Sequence, residues 1–155
     1  MSYYNVSLTP SFEILPTGRY NITLLFSVTN IADHDCWAYQ HSLLQRQSLF
    51  KEIFKINNEN GERASYSGML VKFVLTLMPI KINETLNNES ILTNSYDFPG
   101  GNEIYITYKD KIDCCPEPIR SDQCDSEIIE ASTTLLVGLS LNPQEQIYYA
   151  SYNEF

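Results

Sequence analysis

Apolar residues recur at every second position over much of the chain. Ile22, Leu24, Phe26 and Val28 alternate with Asn21, Thr23, Ser27 and Thr29, the period of a strand packed on one face and solvated on the other. Tyr4, Val6 and Leu8 share the rhythm, which Pro10 interrupts before Phe12 and Ile14, and Pro16-Thr17-Gly18 marks a turn. Residues 36–40 read as a short strand holding the single tryptophan, Trp37, and residues 43–50 as a loop or one helical turn. Phe54 and Ile56 close a strand ahead of a polar turn over residues 57–62, where Gly61 is free to adopt positive φ.

Residues 66–77 predict one long strand, apolar on both faces at its far end and therefore central. Residues 81–90 are polar and read as an exposed loop, residues 91–98 as a strand, and Pro99-Gly100-Gly101 as a turn. Ile104, Ile106 and Tyr108 alternate in the next strand. Residues 109–125, with Pro116 and Pro118, read as a cysteine-bearing loop. Leu135, Val137, Leu139 and Leu141 predict a further strand, and Ile147, Tyr149 and Ser151 a last one. Seven to nine short strands with no convincing helix predict one all-β domain over residues 1–155, an immunoglobulin-like antiparallel β-sandwich.

The 155 residues suit a single domain able to bury roughly two-thirds of the surface its unfolded chain exposes. Hydrophobic residues make up 43% and charged residues 19%, a globular balance. No apolar run approaches the roughly 20 residues of a spanning helix, so no membrane span is expected. The first twenty residues carry Asn, Ser, Thr and Pro where a secretion leader would have an apolar centre. Nineteen acidic against ten basic side chains leave a formal charge of −9. That charge repels phosphate backbones and argues against a nucleic-acid partner.

Four cysteines stand at Cys36, Cys114, Cys115 and Cys124. An even count, with three of them close together, favours one or two disulfides in an oxidising compartment. The 109–125 stretch is expected to be tied to itself or to Cys36, with vicinal Cys114–Cys115 pairing the least favoured. Free buried thiols and a zinc site are the alternatives, the latter weakened by the absence of CxxC spacing. Asn-x-Ser/Thr sequons occur at Asn5, Asn21, Asn83 and Asn88, a mild excess over chance. With the cysteines they point to a secreted, extracellular glycoprotein.

Signatures of chemistry are sparse. His34 and His41 flank Cys36 and Trp37 without forming a zinc-protease helix, and there is no nucleophile elbow, phosphate loop or dinucleotide-binding glycine pattern. The chain is therefore read as a non-enzyme with no cofactor and no metal. Eleven tyrosines include the closing cluster Tyr148, Tyr149 and Tyr152, candidates for partner binding because tyrosine gives large contact area at small entropic cost. The alternative is that tyrosine's β propensity places them in this domain's own last strand.

Four segments also carry a family resemblance. "TLLFSVTN", "FKINNENGERASYSGMLVKF", "NEIYITYKD" and "EASTTLLVGLSL" resemble the amino-terminal β-sandwich (pro-)domain of deuterolysin-like metallopeptidases. In that family a "VTN" strand precedes an "F-x-I" strand, an Asn/Gly turn and a "Y-x-G-x-x-V-K" strand. Here those elements are Val28-Thr29-Asn30, Phe54-Lys55-Ile56, Asn60-Gly61 and Tyr66-Ser67-Gly68-Met69-Leu70-Val71-Lys72, in matching order from about residue 4 to 141. The family's HExxH peptidase domain has no counterpart here, and the cysteine stretch and the aromatic tail lie outside the pattern. A fainter likeness to small β-sandwich proteinase inhibitors runs through the same hairpin. The resemblance implies a non-catalytic module that assists or blocks a peptidase. The alternative is a structural subunit of an extracellular glycoprotein assembly that self-associates through edge strands.

Overall fold

The computed structural model describes residues 2–40, 42–43, 53–68, 76–119 and 121–137. They form ten strands: β1 (Tyr4–Ile14), β2 (Tyr20–Asn30), β3 (Cys36–Tyr39), β4 (Phe54–Asn58), β5 (Ser65–Tyr66), β6 (Leu77–Ile80), β7 (Thr85–Ile91), β8 (Tyr96–Asp97), β9 (Glu103–Cys114) and β10 (Asp125–Leu136). A single 3-10 turn, Leu92–Asn94, separates β7 from β8. All pairings are antiparallel.

Two three-stranded sheets dominate, ordered β1-β2-β7 and β10-β9-β4. Taken in chain order, these six strands follow the A-B-E and G-F-C arrangement of an immunoglobulin-like sandwich. The fold is thus the expected all-β sandwich. The position of the fourth strand of the first sheet differs, because β6 pairs with β3 and not with β7. Alternation in β2 sets the core: Ile22, Leu24, Phe26 and Val28 are buried, facing Ile104, Ile106 and Tyr108 of β9 and Phe54 and Ile56 of β4. Tyr4 at the start of β1 crosses between the sheets, and its hydroxyl donates to the Asp113 carbonyl at 2.8 Å. Beside it, the Ser2 hydroxyl donates to Glu127 at 2.7 Å and the Tyr3 hydroxyl to Asp125 at 2.8 Å, so β1 also fastens to the start of β10.

Three turns form where the sequence placed them, each with a glycine at positive φ: Gly18 at 85°, Gly61 at 79° and Gly101 at 145°. At Gly101 the requirement is also steric. A Cβ there would lie 2.9 Å from the Asn58 Cβ and 2.7 Å from a Glu59 carboxylate oxygen. That carboxylate accepts the backbone N–H groups of Asn102 and Glu103 at 2.9–3.0 Å and pins the start of β9.

Other expectations need correction. Pro10 does not interrupt β1: it lies opposite Leu24 within an unbroken ladder, tolerated because β1 is an edge strand. Residues 85–90 are not loop but most of β7, whose inward side carries Leu86, Asn88 and Ser90; polar residues on both faces hide its period. Residues 91–98 are not one strand, since the 3-10 turn divides them. The cysteine loop expected over residues 109–125 shrinks from both ends, because β9 runs to Cys114 and β10 begins at Asp125. Ser67, Gly68 and Thr76 lie outside strands, so residues 66–77 are not one continuous strand; residues 69–75 lie outside the described residues. The strand expected at residues 135–141 begins ten residues earlier as β10, and the last expected strand lies outside the described residues.

Candidate functional site

The chemistry-bearing side chains gather at the corner where β2 turns into β3. Asn30 ends β2 fully buried, and its side chain organises the turn. Its amide donates to the carbonyls of His34 at 3.0 Å and Ile80 at 2.8 Å, while its oxygen accepts the N–H of Ala32 at 2.8 Å. The turn delivers Asp33, His34 and Cys36 to the end of β9. There Cys36 bonds Cys114 across 78 residues of sequence, and Cys115 bonds Cys124 across 9. Both disulfides are of the expected kinds, none is vicinal, and no cysteine is free.

The two strands do not rely on sulfur to meet. Trp37 and Cys115 form an isolated bridge, with Trp37 N–H donating to the Cys115 carbonyl at 2.8 Å and Cys115 N–H to the Trp37 carbonyl at 2.9 Å. Cys36 and Cys114 are buried, whereas the His34 side chain is 44% exposed. His34 Nε2 lies 3.4 Å from Cys114 Sγ, and Nδ1 lies 2.7 Å from Asp33 Oδ1. The hydrogen bond from His34 holds the Asp33 carboxyl below its ordinary range. The Tyr3 ring meets His34 edge-on with centroids 6.3 Å apart. The one histidine-cysteine cluster among the described residues therefore joins His34 and Cys36 to Cys114. A grouping with His41 lies outside the described residues.

A second feature is the solvent face of the β10-β9-β4 sheet. The register sets Ile128 opposite Lys111, Glu130 opposite Lys109, Thr134 opposite Tyr105 and Leu136 opposite Glu103, with Lys55 of β4 opposite Thr107. Ile128 is 68% and Leu136 73% exposed, and Tyr105 is also exposed. Three of the chain's ten basic residues thus share one face with the two most exposed large hydrophobics among the described residues, in a protein of net charge −9.

The sequons separate by environment. Asn5 is exposed on the outer side of β1, and Asn83 is exposed at a turn with φ 63°, a left-handed conformation that asparagine adopts readily. Asn21 faces outward from the central strand β2 as expected, but is half-buried between neighbours. Asn88 is opposite Phe26 on the inward side of β7 and half-buried, and the hydroxyl of its sequon partner Ser90 is buried. The expected exposed loop around Asn88 is therefore corrected. Tyr148, Tyr149 and Tyr152 lie outside the described residues.

An open cleft of about 330 Å³ lies between the β1–β2 turn and β8, lined by Arg19, Tyr20, Thr93, Tyr96, Asp97 and Phe98, with Gly18 at the turn. The Tyr96 hydroxyl is engaged by the Phe54 backbone. Among the described residues no helix is long and apolar enough to cross a membrane. Sequence reading missed Asn30 as a buried organiser and missed Asp33 and Cys114 as neighbours of His34; only the flanking "VTN" pattern hinted at the first. Neither models of known protein families nor curated proteins give a match to this chain.

Proposed function

We propose that this chain is a secreted, non-catalytic protein-binding module of the protease-prodomain kind, engaging its partner through the outer face of the β10-β9-β4 sheet. The observation that carries the reading is the combination of Ile128, Leu136 and Tyr105 with Lys55, Lys109 and Lys111 on one exposed surface. Exposed apolar anchors among three lysines and the carboxylates of Glu103 and Glu130 suit a protein surface with its own apolar centre and a rim of mixed charge. The resemblance to deuterolysin-like prodomains supplies the class of partner, a peptidase. Two disulfides fit an oxidising compartment.

The test is inhibition of a purified deuterolysin-like metallopeptidase by the full chain and by an Ile128→Asp/Leu136→Asp variant. Both side chains are exposed, so the variant is expected to keep the parent melting temperature while losing inhibition at least tenfold. A chain that neither inhibits nor binds the peptidase overturns the reading. The second reading, a self-associating structural subunit, rests on β7, whose outer edge pairs with no strand among the described residues. Concentration-dependent sedimentation of the chain alone, abolished by a Glu89→Pro substitution at an exposed position of that edge strand, supports it instead.

A further inference from the structure

We propose that Asp33, His34, Cys36 and Cys114 form a redox-gated metal site, closed by the Cys36–Cys114 disulfide and able, once that bond is reduced, to bind one Zn²⁺ or Cu⁺ ion. The donor atoms of His34, Cys36 and Cys114 all lie within 4.8 Å of one another, the spread that one ion with sulfur and nitrogen ligands at about 2.0–2.3 Å can gather. Two thiolates and an imidazole are the donor set of soft and borderline metals. His34 already has the orientation such a ligand needs: Nε2 faces sulfur at 3.4 Å while Nδ1 is fixed on the Asp33 carboxylate at 2.7 Å. A carboxylate behind a metal-binding histidine sets its tautomer and raises its basicity.

Preorganisation survives loss of the disulfide because the backbone holds both cysteines. The paired hydrogen bonds of Trp37 and Cys115 keep the residues beside Cys36 and Cys114 in register, and Asn30 fixes the turn carrying His34. Both cysteines are buried while the imidazole beside them is half-exposed, so the His34 side is where a small reductant and an ion approach. Reduction by an external dithiol passes two electrons and two protons to the sulfurs. Two thiols form while the reductant closes to its own disulfide. Metal entry then releases both thiol protons and leaves the fourth coordination position to solvent. Passing the two electrons back to a small-molecule disulfide restores the S–S bond and releases the ion, while that disulfide takes up two protons and becomes a dithiol, so the same four residues report compartment redox state as metal occupancy.

The experiment uses the full chain with Cys115→Ser/Cys124→Ser substitutions, which removes the competing thiols. After phosphine reduction under anaerobic conditions, Co²⁺ titration is expected to saturate at one equivalent with thiolate-to-cobalt charge transfer and tetrahedral ligand-field bands. Zn²⁺ should displace the cobalt, and the oxidised protein should show neither band. Asp33→Asn is expected to weaken binding roughly tenfold, the usual effect of losing a ligand's outer partner, and His34→Ala more. If the reduced chain unfolds without metal, Co²⁺ must restore its near-ultraviolet circular dichroism. Absence of the bands, a chain that stays unfolded with metal, affinity indifferent to His34→Ala, or equal binding by Cys36→Ser/Cys114→Ser each overturns the proposal.

Discussion

Phe26 of β2 and Tyr108 of β9 meet edge to face across the core, with ring centroids 5.1 Å apart and planes at 64°. Each belongs to the central strand of its sheet, so this contact joins the two layers at their middle. Phe54 of β4 closes on the same tyrosine from the side at 6.0 Å. Offset aromatic contacts of this kind add to the apolar area they bury.

The Tyr108 hydroxyl is buried without a hydrogen-bond partner among the described residues, and burial pushes its phenol well above the ordinary range. A stranded hydroxyl costs about 1–3 kcal/mol. Tyr108→Phe keeps the ring and deletes that cost, so it is expected to leave stability unchanged or raise it by about 1 kcal/mol. Phe26→Ala, which empties the facing position, is expected to cost about 3–5 kcal/mol. Urea unfolding at matched slope measures both. A clear loss of stability in Tyr108→Phe would show that the hydroxyl has a partner.

Asn30 carries the corner. Replacing it with Ala strands the His34 and Ile80 carbonyls and the Ala32 N–H, with an expected loss of about 2–4 kcal/mol. Asn30→Asp is the sharper probe. A carboxylate cannot donate to two carbonyls, and it buries a charge as well. Its destabilisation is expected to exceed that of Asn30→Ala at neutral pH and to lessen in acid as the carboxyl protonates.

These two centres differ in how much the sequence reveals. The core around Phe26 and Tyr108 is legible because β2 and β9 alternate large apolar residues with polar ones. In β10 the signal fails: Ile128 and Ile129 are adjacent, and the inward positions include Ala131 and Thr133. That strand is held by its full-length ladder to β9, a long-range fact that local pattern cannot carry. In β7 the inward side carries Asn88 and Ser90, so an edge strand reads as loop. The His34 cluster is opaque for the same reason, since its closest sulfur belongs to Cys114, 80 residues away. From the sequence follows only that the 109–125 stretch is tied to itself or to Cys36 and that Cys114 and Cys115 do not pair with each other, as the two disulfides have it.

Glu59 gives a pH dependence with a definite sign. Its carboxylate accepts the N–H groups of Asn102 and Glu103, and these bonds lower its pKa from the model-peptide value of 4.5. A folded pKa below the unfolded one means that the contribution is complete above pH 4.5 and is lost as pH falls through the lower folded value. The stability gap between the parent and Glu59→Gln is therefore expected to be constant from neutrality down to about pH 4.5 and to narrow only below it. Parallel urea titrations from pH 7 to pH 3 measure it, and a gap that widens in acid contradicts the assignment.

The two disulfides should contribute unequally. Cys36–Cys114 closes a loop with a sequence separation of 78, and Cys115–Cys124 one with a separation of 9. In the chain-entropy treatment these loops stabilise by about 4.5 and about 2.7 kcal/mol respectively. Cys36→Ala/Cys114→Ala is thus expected to lower stability by about 2 kcal/mol more than Cys115→Ala/Cys124→Ala. The bridge between Trp37 and Cys115 persists in the first variant and keeps β3 on β9 in the native state, so the loss there falls mainly on the unfolded chain. Folding rates separate the two origins: a loss through the unfolded chain slows folding and leaves unfolding nearly unchanged, whereas a native-state defect speeds unfolding. Equal losses in the two variants, or a loss seen wholly in the unfolding rate, would place the disulfide's contribution in native packing at the corner and not in the length of the loop it closes.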